Sequence, residues 1–239
     1  APTPWQVRVL DVGQGLSVLV TRGDRGILYD TGDSYPGGYN MAEAAILPVL
    51  SRLDVRVLDA LIISHKDRDH AGNRRAMLQA MPVRRELSSF GFARSTTLCR
   101  RGQRWHWQGL DFRVLWPERP GAGRNNDSCV VQISDGRYRL LLSGDIEQEA
   151  ERRLLALESK GEGDVFASTS ASTRFSTLAS AVLVSPHHGS RTSSTPGFVA
   201  AVNPDLVIHS AGDRNQWQFP RPEVEARYQG ARQWVTGQD

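Results

Sequence analysis

The chain has 239 residues, of which 39% are hydrophobic and 23% are charged, and its formal charge is +3. This composition is ordinary for a globular protein and allows a sizeable core. No apolar run approaches the roughly 20 residues that cross a bilayer, which excludes a membrane span in this sequence. All but two of the 29 basic residues are Arg. Guanidinium groups hold phosphates bidentately and so suit a phosphodiester substrate, although a codon bias explains the arginines more simply.

The first third of the chain predicts a small antiparallel sheet, then a helix and a buried strand. Three short apolar runs separated by glycines are typical of strands joined by tight turns, and they span 7–12, 16–21 and 26–30. Asn40 can cap a helix that runs to about residue 53, and Pro48 makes this helix irregular. The apolar run 57–64 predicts a buried strand, and a second helix is expected at 72–81.

The rest of the chain alternates between strands and helices. Strands are predicted at 84–88, 104–107, 112–116, 128–133, 138–143, 181–185 and 206–210, and helices at 147–157, 196–202 and 223–228. The same order of strands followed by helices and strands occurs about twice, which predicts two central sheets with helices outside. Residues 161–180 are rich in Ser and Thr and predict a surface insertion or mobile loop. We expect one domain over 1–239, and the missing initiating Met predicts that it is excised from a larger protein or processed.

The residues that follow the buried strand carry four candidate metal ligands within six positions: His65, Asp67, Asp69 and His70. Alternate residues of an extended loop project to the same side, so His65 and Asp67 can share one metal ion. Asp69 and His70 stand where the chain turns into a helix and can face a second ion. The competing interpretation is a charged surface loop with incidental histidines.

Two later strand ends offer further ligands. Asp145 follows the apolar residues 140–142 and can bridge two ions, and His187 and His188 follow the strand at 181–185; each alone is more often a turn residue. Nitrogen and carboxylate ligands without thiolate suit Zn²⁺ or Mn²⁺, and a carboxylate-rich set favours Mn²⁺. Two ions roughly 3.5–4 Å apart stabilise both the attacking and the leaving oxygen of an in-line displacement, so no Ser or Cys nucleophile is needed.

Polar turns next to other strands are weaker candidates. Asp30 and Asp33 follow the third strand and can orient the ligand loop, although a plain turn explains them equally well. Asn126, in the stretch that leads into Ser128, can place an amide near the first metal ion or near a phosphate, where a turn is the default interpretation.

The two cysteines, Cys99 and Cys129, are far apart in the sequence and fit no CxxC pattern. A disulfide between them is compatible with the sequence but not implied by it. Two separate small apolar residues are the favoured expectation.

Together these motifs resemble the metallo-β-lactamase superfamily, whose hallmark is H-x-H-x-D-H after a strand, followed by a later Asp and a later His. Here Asp67 takes the place of the second His, and H-x-D-x-D-H is similar to the C-terminal domain of the ComEC family of DNA-uptake channel proteins. Five further stretches are similar to that family: LDVGQGLSVLV at 10–20, YDTG at 29–32, NNDSCVV at 125–131, LLSGDI at 141–146 and PHHGS at 186–190.

The resemblance implies a four-layer αβ/βα sandwich that binds two divalent ions, Mn or Zn, with Asp145 bridging them. The implied ligands are His65, Asp67, Asp69, His70, Asp145 and His188. The implied catalytic residues are Asp69, Asp145 and His187, and the implied substrate contacts are Asn126, Ser128, His187 and Ser190. His187 can also take the place of His188, and Asn126 stands where the wider superfamily has another His ligand, so the first metal site is poor in histidine.

The implied function is a metal-dependent nuclease that degrades the non-imported DNA strand during natural transformation. The implied partners are single-stranded DNA and the membrane channel portion of the same polypeptide, and the domain itself is expected to be monomeric. It would lie on the periplasmic or extracellular side of a bacterial inner membrane. The alternatives are a small-molecule phosphodiesterase on the same fold and a catalytically weak DNA-docking domain.

The sequence departs from the family near its end. Relatives often carry a His just before a Pro there, whereas this chain reads NQWQFP, with Gln218 and Phe219 before Pro220. If that His binds phosphate or protonates the leaving group, this protein is expected to be slow or to use another residue. His209 is a nearby candidate, although a His at a strand end is more often structural.

Overall fold

Two mixed β-sheets form the centre of the protein in a computed structural model that describes residues 3–159 and 176–238. Most of the predicted insertion at 161–180, residues 161–175, lies outside the described residues. Within the described ranges, no helix combines the length and the apolar character that crossing a membrane requires.

The first sheet has six strands in chain order, and it is antiparallel at one side and parallel at the other. Its strands are β1 (Gln6–Val9), β2 (Val18–Arg22), β3 (Arg25–Tyr29), β4 (Leu58–Ile63), β5 (Glu86–Ser88) and β6 (Thr97–Leu98). A π-helical turn, Ala42–Ile46, continues into α1 (Leu47–Arg52) and connects β3 to β4. Helices α2 (Arg68–Ala71) and α3 (Arg74–Ala80) connect β4 to β5.

The second sheet repeats this plan with seven strands: antiparallel from β7 to β10 and parallel from β10 to β13. Its strands are β7 (Arg104–Trp107), β8 (Leu110–Trp116), β9 (Val130–Ser134), β10 (Arg139–Leu142), β11 (Val182–Val184), β12 (Leu206–His209) and β13 (Arg232–Val235). The helices that follow β10, β11 and β12 are α4 (Gln148–Ser159), α5 (Pro196–Val202) and α6 (Pro222–Arg227).

Three buried apolar clusters show that the layers are helix, sheet, sheet and helix. The central cluster joins the facing sides of the two sheets, with Val18 and Ile62 from the first sheet and Val131 from the second. A second cluster packs the outer side of the first sheet against α1 and α3, and a third packs the outer side of the second sheet against α4, α5 and α6. The predicted four-layer αβ/βα sandwich is therefore confirmed.

Cys99 and Cys129 form a disulfide, which corrects the expectation of two separate apolar residues. Cys99 follows β6 and Cys129 precedes β9, so the bond links the edge of the first sheet to the second sheet. Both residues are fully buried in the central cluster. The sequence could not favour this pairing, because only the packing of the two sheets brings the cysteines together.

Candidate metal centre

The predicted ligands converge at the carboxyl ends of three parallel strands. Ser64 and His65 follow β4, Asp145 follows β10, and His187 and His188 follow β11. Carboxyl ends of parallel strands are where α/β proteins commonly gather functional side chains from distant parts of the sequence. Here the two sheets bring theirs to one shared site.

The carboxylate of Asp145 is the centre of this site. Nε2 of His70 lies 3.1 Å from Asp145 Oδ1, and Nε2 of His188 lies 3.5 Å from Oδ2. Nε2 of His187 and Nε2 of His65 lie 3.9 and 4.0 Å from the same Oδ2. One buried carboxylate thus faces the ring nitrogens of four histidines from two loops.

Two overlapping groups of ligand atoms share Asp145. In the first, the ligand atoms of Asp69, His70, Asp145 and His188 all lie within 4.8 Å of one another. In the second, Asp67 Oδ2 lies 3.6 Å from His65 Nε2, which also faces Asp145. The structure therefore brings all six predicted ligands together, and His187 lies beside them.

The histidines present the nitrogen that a metal ion needs. Nδ1 of His70 lies 2.8 Å from Asp30 Oδ2, and Nδ1 of His188 lies 2.8 Å from the carbonyl oxygen of Ser210. Both partners accept only, so each Nδ1 carries a proton and each Nε2 is the nitrogen that faces the site. Nδ1 of His65 lies 2.9 Å from Ser64 Oγ, whose proton already goes to Asp30.

Asp30 and Ser64 hold the ligand loop from beneath. Asp30 accepts hydrogen bonds from the Ser64 amide at 2.6 Å and from the Ser64 hydroxyl at 2.7 Å, and both residues are fully buried. Asp33 forms an ion pair of 2.7 Å with Arg68, which lies between Asp67 and Asp69. Sequence reasoning missed Ser64, and its only signal was its position between the buried strand and His65.

The loop that carries His187 and His188 has a costly backbone conformation. Both residues have left-handed dihedral angles, with φ of 51° and 58°, which costs about 1–2 kcal/mol each in L-residues. The His187 amide donates to the carbonyl of Gly144, and the next residue is Gly189, where an added Cβ would lie 2.6 Å from Pro220 Cβ. Such strain persists where surrounding contacts enforce it, typically at functional sites.

The charges in the cluster reinforce one another. Burial opposes ionisation of Asp69, but His70 and His188 outweigh it and lower its pKa to about 2; the same two histidines lower the pKa of Asp145 well below its usual value against its burial. Burial likewise opposes charge on His188, but Asp145 and Asp69 raise its pKa to about 9, and they raise the pKa of His70 well above its usual value. The carboxylates therefore favour positive charge at the Nε2 atoms of His70 and His188, which either a proton or a metal ion supplies.

The donor set fits bound cations. His65 Nε2 and Asp145 Oδ1 are buried and make no hydrogen bond within the described protein, which is costly unless a ligand satisfies them. The cluster combines imidazole nitrogens with carboxylate oxygens, as zinc and manganese sites do.

Three predicted substrate contacts have other partners. The hydroxyl of Ser128 is fully buried, accepts the Asp145 amide at 3.1 Å and so supports that ligand instead of facing the open side. Ser190 is also buried, with its hydroxyl 3.1 Å from Thr192 Oγ1. Asn126 Oδ1 accepts the amide of Glu147 at 2.8 Å. Direct contact of Ser128, Ser190 and Asn126 with a substrate stays a prediction, and in this structure the two serines are buried with protein partners.

His209 does not replace the histidine that is missing before Pro220. It is fully buried, with Nδ1 2.9 Å from Ser185 Oγ and Nε2 3.1 Å from Gln233 Oε1. Phe219 instead lies beside the site, with its ring centroid 6.0 Å from that of His187. These contacts agree with the structural role that is more common for a His at a strand end.

The open side of the site continues into a groove of about 620 Å³. Asp67 of the cluster is one of its lining residues, and the others include Trp116, Arg124, Asn126 and Arg153. His187, whose side chain is 22% exposed, lies 3.4 Å from Glu147, another residue of this groove. A substrate can therefore approach the cluster from solvent past Arg124 and Arg153, and the groove also carries the carboxylates of Asp127, Glu147 and Glu149.

Comparisons with known proteins agree with this geometry. Residues 10–88 match the family model of the metallo-beta-lactamase superfamily. Recombination protein 2 of Haemophilus influenzae is 40% identical over 93% of this chain, and competence protein ComA of Neisseria gonorrhoeae is 36% identical over 92%. The chain spans only 26% and 29% of the lengths of these two relatives.

The fold has solved counterparts. The metallo-beta-lactamase fold protein YhfI from Bacillus subtilis superimposes with a TM-score of 0.57 at 13% sequence identity, and the match covers 97% of this chain and 96% of that one. At this identity the likeness concerns the fold alone.

Proposed function

Because the chain belongs to the metallo-β-lactamase superfamily and is homologous to part of the ComEC-type competence proteins, we propose that it is a metal-dependent phosphodiesterase that cuts DNA. The hydrolase fold and the cluster of potential ligands are the basis of this proposal. The observation that carries it is the single carboxylate of Asp145 facing four histidine nitrogens within 4.0 Å.

Two divalent ions would be held on either side of Asp145. His65, Asp67 and Asp145 would hold one ion, and Asp69, His70, Asp145 and His188 would hold the other. The carboxylate-rich set favours Mn²⁺ over Zn²⁺. When bound, such ions polarise a phosphoryl oxygen and make a water molecule acidic enough to act near neutral pH.

The side chains of the protein prepare this chemistry. Asp30 and Ser210 keep the Nδ1 protons of His70 and His188 outside the cluster, which leaves each Nε2 free to bind. Asp69 stays ionised at all working pH values because its pKa is about 2. His187 is the most exposed histidine of the cluster, so we assign it to contact the scissile phosphate, with Asn126 nearby in the groove.

The proposed substrate is the DNA strand that is not imported during natural transformation. The names of the relatives refer to recombination and competence, and the groove offers Arg124 and Arg153 to a phosphate backbone. Because the chain spans less than a third of those relatives, we propose that it is one domain, monomeric in itself, of a protein with a membrane channel.

The disulfide supports a location on the periplasmic or extracellular side. Disulfides persist in oxidising compartments and are rare in the reducing cytosol. The bond between Cys99 and Cys129 is buried in the core between the two sheets, so it is a structural bond. We therefore propose that the domain functions outside the cytoplasm.

The test measures cleavage of a labelled single strand, the matching duplex and a small chromogenic phosphodiester by the purified chain with Mn²⁺, Zn²⁺, Mg²⁺ or EDTA. We expect Mn²⁺-dependent cutting of DNA that EDTA abolishes. Asp145→Asn should lower the rate by about 100-fold or more, because it removes the ligand shared by both ions.

Asp111→Asn is the matched control, since Asp111 is an exposed carboxylate paired with His106 and has no contact with the cluster. It should cut DNA like the wild type. Turnover of the small phosphodiester without cleavage of DNA would replace this proposal with a small-molecule phosphodiesterase. Metal-independent binding of DNA without any cleavage would replace it with a docking domain.

A further inference from the structure

Three nearly parallel rings lead from the metal cluster to the surface. The ring of Phe219 is inclined by only 18° to that of His188, at a centroid distance of 6.4 Å. The ring of Trp217 is inclined by 17° to that of Phe219, again at 6.4 Å. Such offset stacks lie within the range in which aromatic rings attract each other.

Exposure increases along this stack. His188 is buried, Phe219 is half-buried, and Trp217 is 45% exposed. Trp217 stacks on Phe219, and close to half of its surface is open to solvent. An exposed indole does not contribute the free energy that its burial would give. This indole stacks on Phe219, whose ring in turn contacts both His187 and His188.

The aromatic loop is held in place before any ligand binds. The Asn215 side chain donates to the carbonyl oxygens of Gly212 and Phe219 and accepts the Phe219 amide, at 2.9, 2.7 and 2.8 Å. The Arg221 amide donates to the carbonyl of Gly189 at 3.0 Å and so joins this loop to the histidine loop. The backbone on both sides of Trp217 is therefore joined to the histidine loop, and its indole contacts the ring of Phe219.

We infer that Trp217 and Phe219 form a stacking platform for an unpaired nucleobase, next to the site where the phosphodiester bond would be cut. This inference rests on the proposed function and adds how the substrate is selected. Every base has a π-face, so stacking on an aromatic side chain binds single strands without a sequence preference. Arg214, whose side chain is 93% exposed in the same loop, and exposed Arg191 in the histidine loop complement the strand's phosphates.

The platform distinguishes unpaired from paired nucleic acid by geometry. Bases within a duplex are covered on both faces by their neighbours, and only an end or an opened strand can offer one to Trp217. The domain should therefore prefer single strands and frayed ends to the interior of a duplex. This preference for single strands would come from stacking of the base and not from contacts with the phosphate backbone.

The experiment measures binding of a fluorescent oligothymidylate and of an abasic strand of equal length by anisotropy, in EDTA so that neither strand is cut. The proteins are the wild type, Trp217→Ala, Trp217→Phe and Trp234→Ala. We expect Trp217→Ala to weaken binding of oligothymidylate roughly five- to 150-fold, the effect of one lost base–aromatic stack. Trp217→Phe should retain most of the affinity. The abasic strand should bind weakly and equally to all four proteins.

Trp234 is the matched control: it is 50% exposed on the edge strand β13, outside the loop that carries Trp217 and Phe219. Among the described residues its ring stacks on neither Phe219 nor the histidines of the cluster. Three results would overturn the inference. The first is an equal loss of oligothymidylate affinity in Trp217→Ala and Trp234→Ala, the second is tight binding of the abasic strand, and the third is no binding of oligothymidylate by the wild type. Cleavage with Mn²⁺ is scored separately. Base-dependent binding without cleavage would contradict only the proposed function, and cleavage without base-dependent binding would contradict only the platform.

Discussion

Removal of the bond between Cys99 and Cys129 is expected to lower the free energy of unfolding by about 3–4 kcal/mol. The two cysteines are 30 residues apart in the sequence, and the chain-entropy relation gives about 3.6 kcal/mol for a loop of this length. The bond restricts the unfolded chain, whereas the folded chain keeps its sheets. Ala is the replacement of choice, because a Ser hydroxyl at either fully buried position would need a hydrogen-bond partner.

The assay compares urea and thermal unfolding of the oxidised wild type, the wild type in reductant and the double variant Cys99→Ala/Cys129→Ala. The chain has only two cysteines, so reductant acts on this bond alone. The reduced wild type and the variant should agree, with a melting temperature lower by roughly 7–14 °C. A loss below about 1 kcal/mol, or two titratable thiols in the unreduced native protein, would refute the reasoning.

Three further predictions concern the cluster and its surroundings. Mn²⁺ at about 100 times its dissociation constant should stabilise the wild type by about 2.7 kcal/mol, and Asp145→Asn should abolish the rise in melting temperature; an equal rise in the variant would place the ion elsewhere. Burial lowers the pKa of His209, so the unfolded chain takes up a proton below about pH 6.5 that the folded chain excludes. This contribution to stability is full above that pH and is lost as the pH falls through the folded pKa, and His209→Gln should reduce the decline in urea midpoint between neutral and acidic pH; an unchanged decline contradicts it. Gly15→Ala should destabilise the fold by roughly 1–3 kcal/mol and weaken Mn²⁺ binding by calorimetry, because the new Cβ would lie 2.5 Å from the Asp69 carbonyl oxygen; wild-type affinity would count against it.

Local patterns predicted most elements because they depend on residues close in sequence. The glycine-separated apolar runs became the antiparallel strands β1, β2 and β3, and the predicted bounds 104–107 and 196–202 are those of β7 and α5. The irregular helix attributed to Pro48 contains a π-helical turn just before α1. In these segments, periodicity and turn residues act without help from the rest of the chain.

The misses lie at the sheet edges and in a short turn. Strand β6 has two residues and β13 is half exposed, so neither carries an apolar run; each forms because a neighbouring strand supplies hydrogen-bond partners. The helix expected at 72–81 is instead two short helices, α2 and α3, and the first begins within the ligand loop itself.

The sequence by itself determined the composition of the candidate site: the H-x-D-x-D-H string after a buried strand, with a carboxylate and two histidines after later strands. The tertiary structure decided how these groups face one another. Packing places Asp145 among the four histidines, and Asp30, Ser64 and Ser210 orient the histidine rings. Ser128 and His209 are buried in the interior, and Trp217 stacks on Phe219. The reason is physical: ligand identity is a property of each residue, whereas the direction of a lone pair depends on hydrogen-bond partners that only the packing of two sheets brings within reach.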